Sequence, residues 1–192
     1  MLTETKIKEA SKITGEMLIS IYDTTSKKAN QLEKQIEELI AGPRFEGYRE
    51  KYLELIGKLK QFIIREYKIT NLITTVGRAT IAQRLANDTT YTGIINYGAL
   101  GTSTTAVSNA DTTLGAEVFR KVVASASDTD NIAYIDFFYS KSDTNGTYEE
   151  FGTFIDGTAS ADTGQMFTHA LTGGWVKTSS ESMTVSCTYT IS

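Results

Sequence analysis

The chain has 192 residues, of which 40% are hydrophobic and 22% charged, with a formal net charge of −4; it is long enough for one domain, or a small domain with an extended arm. The acidity and the lack of clustered Lys and Arg argue against nucleic acid as a partner, and apolar runs such as Met17 to Ile21 and Phe62 to Ile64 fall far short of the roughly 20 residues that cross a bilayer. A single cysteine, Cys187, excludes an internal disulfide and a zinc site of several thiolates, and the mixed charge after Met1-Leu2-Thr3-Glu4-Thr5-Lys6 shows no secretion signal, which points to a start in a cytoplasm.

The charge is unevenly spread. Residues 1–92 hold 15 Lys+Arg and 12 Asp+Glu, whereas residues 93–192 hold 4 and 11, together with 17 Thr and 12 Ser. The second composition is the β-branched, small-polar profile of antiparallel strands with one wet face. The expected fold class is therefore α+β: an N-terminal helical arm over residues 1–70, then a mainly antiparallel β-sandwich over 71–192 with a short leading helix.

In chain order, Ile7, Ala10, Ile13 and Met17 suggest a first helix, weakened beyond Met17 by Ile19 to Thr25. Leu32, Ile36, Leu39 and Ile40 recur at helical spacing until Gly42-Pro43 stops the pattern, because proline cannot continue a helix. Tyr48, Tyr52, Leu55, Ile56, Leu59, Phe62 and Ile63 then mark an apolar face opposite Arg49, Glu50, Lys51 and Glu54. Two readings of these stripes stand side by side: a helical hairpin folded on itself, or a face reserved for partner subunits, in which case Leu32, Ile36, Leu39, Ile40, Tyr48, Tyr52, Leu55, Leu59, Phe62 and Ile63 are the partner-binding candidates.

Val76, Ile81, Ala82 and Leu85 predict a short helix over Thr74 to Ala86, followed by the turn-rich Asn87-Asp88-Thr89-Thr90. Strands are predicted over Ile94–Leu100, Ala116–Ser125, Ile132–Tyr139, Tyr148–Ile155, Met166–Leu171 and Met183–Ile191, each bounded by turn-forming residues. Asn145-Gly146 predicts a hairpin turn, since both residues accept positive φ.

Candidate chemistry is sparse. Cys187 lies in an alternating strand pattern and reads as a packing residue. The single His169 shares one strand face with Phe167 and Leu171, so a packed or interfacial histidine, able to sense pH, is the expectation rather than a base. Glu149 and Glu150 are sequence neighbours that point to opposite faces of a strand and form no acid/base couple; both are expected as solvent or interface charges. Asp128-Thr129-Asp130-Asn131 and Asp143-Thr144-Asn145-Gly146 space oxygen ligands as calcium loops do, but Phe154 stands where the closing glutamate belongs, and turns explain both. Gly98-Ala99-Leu100-Gly101-Thr102 lacks a phosphate-binding glycine spacing. No catalytic residue, metal or cofactor is expected.

Read in order, Asn71-Leu72-Ile73-Thr74-Thr75-Val76-Gly77-Arg78 through Leu85, Asn96-Tyr97-Gly98-Ala99-Leu100-Gly101-Thr102, Thr113-Leu114-Gly115-Ala116-Glu117-Val118-Phe119-Arg120, Glu150-Phe151-Gly152-Thr153-Phe154 and the closing Ser182 to Ile191 resemble small virion proteins of tailed phages. The resemblance covers about residues 71–192 and departs from the family pattern at Phe151, where a small residue is usual, and at His169, where arginine is usual. It implies a structural protein of tail, collar or head-fibre type, located in the virion and working as a homo-oligomer, a trimer by analogy with fibres, in contact with other virion proteins. Two alternatives stand beside it: a capsid decoration protein, or a carbohydrate-binding host-attachment module in which Trp175, after Gly173-Gly174, would offer a platform to a host surface glycan.

Overall fold

The computed structural model describes residues 12–192. In chain order the elements are β1 (Ile13–Asp23), α1 (Lys27–Ala41), α2 (Tyr48–Leu59), β2 (Ile63–Ile73), α3 (Thr75–Leu85), β3 (Ile95–Gly101), β4 (Glu117–Val122), β5 (Ser125–Thr129), β6 (Ile132–Tyr139), β7 (Gly146–Ile155), β8 (Gln165–Lys177) and β9 (Glu181–Ile191). The strands form one nine-stranded sheet in the order β4-β3-β7-β8-β2-β1-β9-β6-β5. Every pairing along it is antiparallel.

The two edge strands β4 and β5 follow one another in the chain, joined only by Val123-Ala124. The three Cα steps from Val122 to Ser125 span at most about 11 Å, so the sheet must curl until its edges meet. The backbone shows where: Val123 N–H donates to the Asn96 carbonyl of β3 (3.0 Å), and Ala124 N–H to the Asp136 carbonyl of β6 (2.8 Å). The concave faces then enclose one core, in which Met17, Ile19 and Ile21 of β1, Leu100 of β3, Phe137 of β6 and Phe151 of β7 are all inaccessible to solvent. Opposite walls touch directly: a Cβ on Gly98 would lie 2.8 Å from the Phe137 ring, and the Tyr139 hydroxyl donates to the Gly98 carbonyl at 3.2 Å.

This arrangement corrects the expected arm. Residues 13–17, read as part of a helix, begin a strand; Ile7 and Ala10 lie outside the described residues. The four-residue step from Ile13 to Met17 fits a period of two as well as one of 3.6, and Gly15, Met17, Ile19 and Ile21 face inward while Glu16 and Leu18 face out. Phe62 and Ile63, assigned to a helix face, instead form the exit from α2 through a short 3-10 turn into β2. β1 and β2 occupy the middle of the sheet, where β1 pairs with β2 on one side and β9 on the other. The described part of residues 1–70 is therefore built into the same sheet as residues 71–192.

The helices form a layer on the convex face. Tyr22 and Phe138 point outward beside the inward Ile21 and Phe137, and pack with Ala124 against Ala29, Leu32 and Ile36 of α1 and Tyr48, Tyr52, Leu55 and Leu59 of α2. The Ser26 hydroxyl caps α1 by accepting from Ala29 N–H (3.1 Å), and the helix stops at Ala41, before Gly42-Pro43. α3 lies against β8; its Gly77 approaches so closely that a Cβ there would sit 2.8 Å from the Phe167 carbonyl oxygen. No helix among the described residues is long and apolar enough to cross a membrane.

The predicted Ala116–Ser125 strand divides at the edge crossing into β4 and β5. Asn145-Gly146 does precede a strand, but β6 and β7 are not paired, so the connection crosses between the two ends of the sheet and is no hairpin. Asp130-Asn131, by contrast, does close a tight hairpin between β5 and β6.

Candidate functional site

The densest polar cluster lies where the long connection between β3 and β4 folds back over β7 and β8. Glu150 of β7 is fully buried. It stands opposite Gly101, whose Cβ would lie 2.4 Å from Oε1, so a glycine is needed for the carboxylate to reach across β3. Glu150 Oε1 accepts from the backbone N–H groups of Ser103 (3.2 Å) and Ala116 (2.8 Å), and Oε2 from Gly115 N–H (2.9 Å). One carboxylate thus ties together both ends of the loop spanning 102–116. Three backbone donors are what a buried carboxylate requires to remain satisfied.

His169 of β8, nearly buried, continues the line: Nε2 lies 2.9 Å from Glu150 Oε2 and Nδ1 lies 2.7 Å from Asp111 Oδ2. Both nitrogens are engaged, so neither is left to activate a hydroxyl. A pocket of about 310 Å³ adjoins the cluster, lined by Ser103, Thr105, Thr113, Asp111, Glu150 and His169 among others. This corrects the expectation for Glu150, which is neither a solvent nor an interface charge. Glu150 lies on the face of β7 opposite the core residue Phe151, with Gly152, whose Cβ would meet Leu114 of the loop (3.1 Å), so the carboxylate is buried by that loop and not by the concave core. Its backbone partners, 34 to 47 residues away, carry no signal in the sequence.

The residues expected to bind partners are placed elsewhere. Ile36 and Leu59 are fully enclosed; Leu32, Tyr48, Tyr52 and Leu55 are buried; and Leu39, Ile40, Phe62 and Ile63 are partly buried on the same cluster. The two stripes pack against each other and against Tyr22, Ala124 and Phe138 of the sheet side. Trp175 is corrected too. Gly173 and Gly174, with φ of 74° and 86°, form a bulge within β8, not a loop. Tyr148 pairs with Trp175, and Glu150 pairs with Leu171. The bulge turns the indole inward against Phe151, with no exposed surface left for a sugar.

A second feature is apolar. At one end of the curled sheet a pocket of about 520 Å³ is lined by Ile13, Ile81, Ile94, Ile135, Phe167 and Ile191 among others, with Asp128 the one charged group in its lining among the described residues. Its rim is exposed: Ile94 retains 65% and Ile191 57% of their surface, and Leu85, one turn beyond Ile81 on α3, retains 86%. Burial pushes the Cys187 thiol up to about 12, which keeps it in the inert thiol form.

Compared with family models, curated proteins and solved structures, the chain matches none.

Proposed function

We propose that this chain is a structural subunit of a tailed-phage virion, without catalytic activity, that assembles with further copies of itself through the open apolar end of its curled sheet. The observation that carries the assembly reading is the combination, on one surface, of an apolar hollow and exposed apolar knobs at Leu85, Ile94 and Ile191. Isolated exposed aliphatics are ordinary, but a hollow with a rim of them marks an interaction surface. A surface with both shapes complements a second copy of itself, as symmetric assemblies require. With a single acid in its lining, it suits neither a phosphate backbone nor a glycan.

The virion reading draws on the segments that resemble phage proteins, and these now have a physical role. They hold Gly101, Gly115, Ala116 and Glu150, the parts of the carboxylate pin. His169, at the position where the resemblance departs, completes it. Motifs that fasten a loop to a sheet fit a scaffold better than an active site, and the engaged His169 supports the same conclusion.

Sedimentation of the purified chain tests the assembly: an oligomer is expected, reduced to monomer by Ile94→Lys with Leu85→Lys. A wild-type chain that stays monomeric at high concentration overturns that part. Peptide mass spectrometry of purified phage particles tests the rest; particles lacking the chain overturn the virion assignment.

A further inference from the structure

Lys177, the last residue of β8, is 1% exposed. Among the described residues its ammonium has no carboxylate within bonding distance. Instead Nζ donates to the side-chain oxygen Oδ1 of Asn145 (2.8 Å) and to the Thr144 carbonyl (3.3 Å). The contact is built by the sheet: Gly146, the residue after Asn145, is the register partner of Lys177 across the β7–β8 ladder. Burial lowers the lysine to about 8, with Asp143, Glu33 and Glu181 opposing that shift and Lys121 adding to it. A desolvated lysine poised near neutrality is a nucleophile, whereas a solvated ammonium is not. Nearby, Glu33 of α1 is also 1% exposed; its Oε1 accepts from Lys141 N–H, but its Oε2 has no hydrogen-bond partner, with Lys141 Nζ 3.5 Å away. That oxygen is ion-paired with the Lys141 ammonium, and the Glu33 charge is near enough to Lys177 to act on it, opposing the lowering of the lysine.

We propose that Lys177 and Asn145 are a self-modification site, joining through an intramolecular isopeptide bond with Glu33 as the group that relays the proton. The Lys177 amine attacks Asn145 Cγ, one bond beyond the oxygen it already contacts. The Nζ–Cγ bond forms and the Cγ–Nδ2 bond breaks. Glu33 takes a proton from the attacking nitrogen and returns one to Nδ2, which leaves as ammonia. Reactants and products balance as an amine plus a primary amide giving a secondary amide plus ammonia, with no oxidant or cofactor. Asn145 is exposed, so the ammonia escapes to solvent, while the buried lysine keeps water from competing. Holding nucleophile and carbonyl at contact distance is the largest part of such a reaction. The bond would fasten the crossover between β6 and β7 to the end of β8, and with it two regions of the curled sheet.

The same Cγ faces a rival, because the backbone nitrogen of Gly146 can close a succinimide on Asn145 and also expel ammonia. Intact mass and a tryptic map of the purified full-length chain separate the two. The expected result is a mass lower than the sequence mass by one ammonia, no cleavage after Lys177, and a peptide containing Lys177 joined to the one containing Asn145. Lys177→Arg is expected to restore the sequence mass. Glu33→Gln, with the fold checked by the near-ultraviolet signal of buried Trp175, is expected to slow linkage at least tenfold. A chain at its sequence mass overturns the proposal, as does an ammonia loss confined to one peptide with normal cleavage after Lys177. Unslowed linkage in folded Glu33→Gln overturns the role of Glu33.

Discussion

The helical layer and the loop spanning 102–116 are both fastened to the curled sheet, by opposite means. The layer uses a broad apolar seam, in which Ile36 and Leu59 on the helices meet Tyr22 and Phe138 on the strands. The loop has Leu114 packed against Ala99, Phe154 and Met166, but its two ends are held by one carboxylate. Apolar seams are forgiving, since many contacts share the energy and a neighbour can relax into a small gap. A buried carboxylate is not, because removing it strands every donor aimed at it.

The largest effect is therefore expected at Glu150. Glu150→Leu leaves the N–H groups of Ser103, Gly115 and Ala116 and the His169 ring without their acceptor, and should cost about 4 kcal/mol in urea unfolding. Hydrogen exchange should accelerate first at residues 103–116. A cost under about 1 kcal/mol, with unchanged protection there, would show that the loop is held by its apolar contacts and erase the contrast.

Next comes the seam. Ile36 is wholly buried, and Ile36→Ala should cost about 3 kcal/mol, spread over the whole cooperative transition with no local exchange signature. If exchange instead rose only in residues 27–59, the helices would be an independently opening layer.

The two regions also differ in how much of them could be read from the sequence, and for the same reason. The seam announces itself through Leu32, Ile36 and Leu39 at helical spacing and through Gly42-Pro43, all signals within one stretch of chain. Which surface that stripe would bury was not local information: it depended on Phe138 and Ala124, about a hundred residues away. β1 escaped because Ile13 and Met17 suit either period, and its central place is fixed by β9, the last element of the chain. At Trp175 the glycine pair was visible but its consequence was not, because a bulge exists only relative to a partner strand. Glu150 was hidden most completely. It stands on the face of β7 opposite the core residue Phe151, where its charge argued for solvent, and the donors that reverse that argument come from the backbone of the loop covering that face.

A third test probes the electrostatics beneath the helical layer. Asp136 of β6 is 8% exposed, and its carboxyl is held above the usual 3.8 chiefly by burial, against the lowering effect of a Ser186 hydrogen bond and of Arg49; the Arg49 guanidinium is 3.9 Å away. The folded state binds this proton more tightly than the unfolded state, so ionised Asp136 is a cost. That cost is full above the folded-state pKa and disappears as pH falls below 3.8. Asp136→Asn should gain about 1 kcal/mol near pH 7 and nothing at pH 3 in paired urea titrations. A loss at pH 7 would mean that the Arg49 attraction outweighs burial, making the layer partly ion-paired where the comparison takes it as apolar.

The smallest expected effect is the most discriminating about how the layer joins the sheet. Ser26 caps α1 through Ala29 N–H, and Ser26→Ala should remove about 1 kcal/mol. Where that loss appears matters more than its size. A layer welded to the sheet passes the whole loss into the global transition, with an unchanged denaturant slope, because α1 cannot unfold without uncovering Tyr22 and Phe138. A layer able to fray leaves the global midpoint in place and shows the loss only as faster exchange at the first turn of α1. The buried hydrogen bond between Tyr22 and Thr184 (2.9 Å) ties the strand residue under α1 to β9, so uncovering α1 exposes a polar pair shared by two central strands. The global outcome is the one this geometry requires.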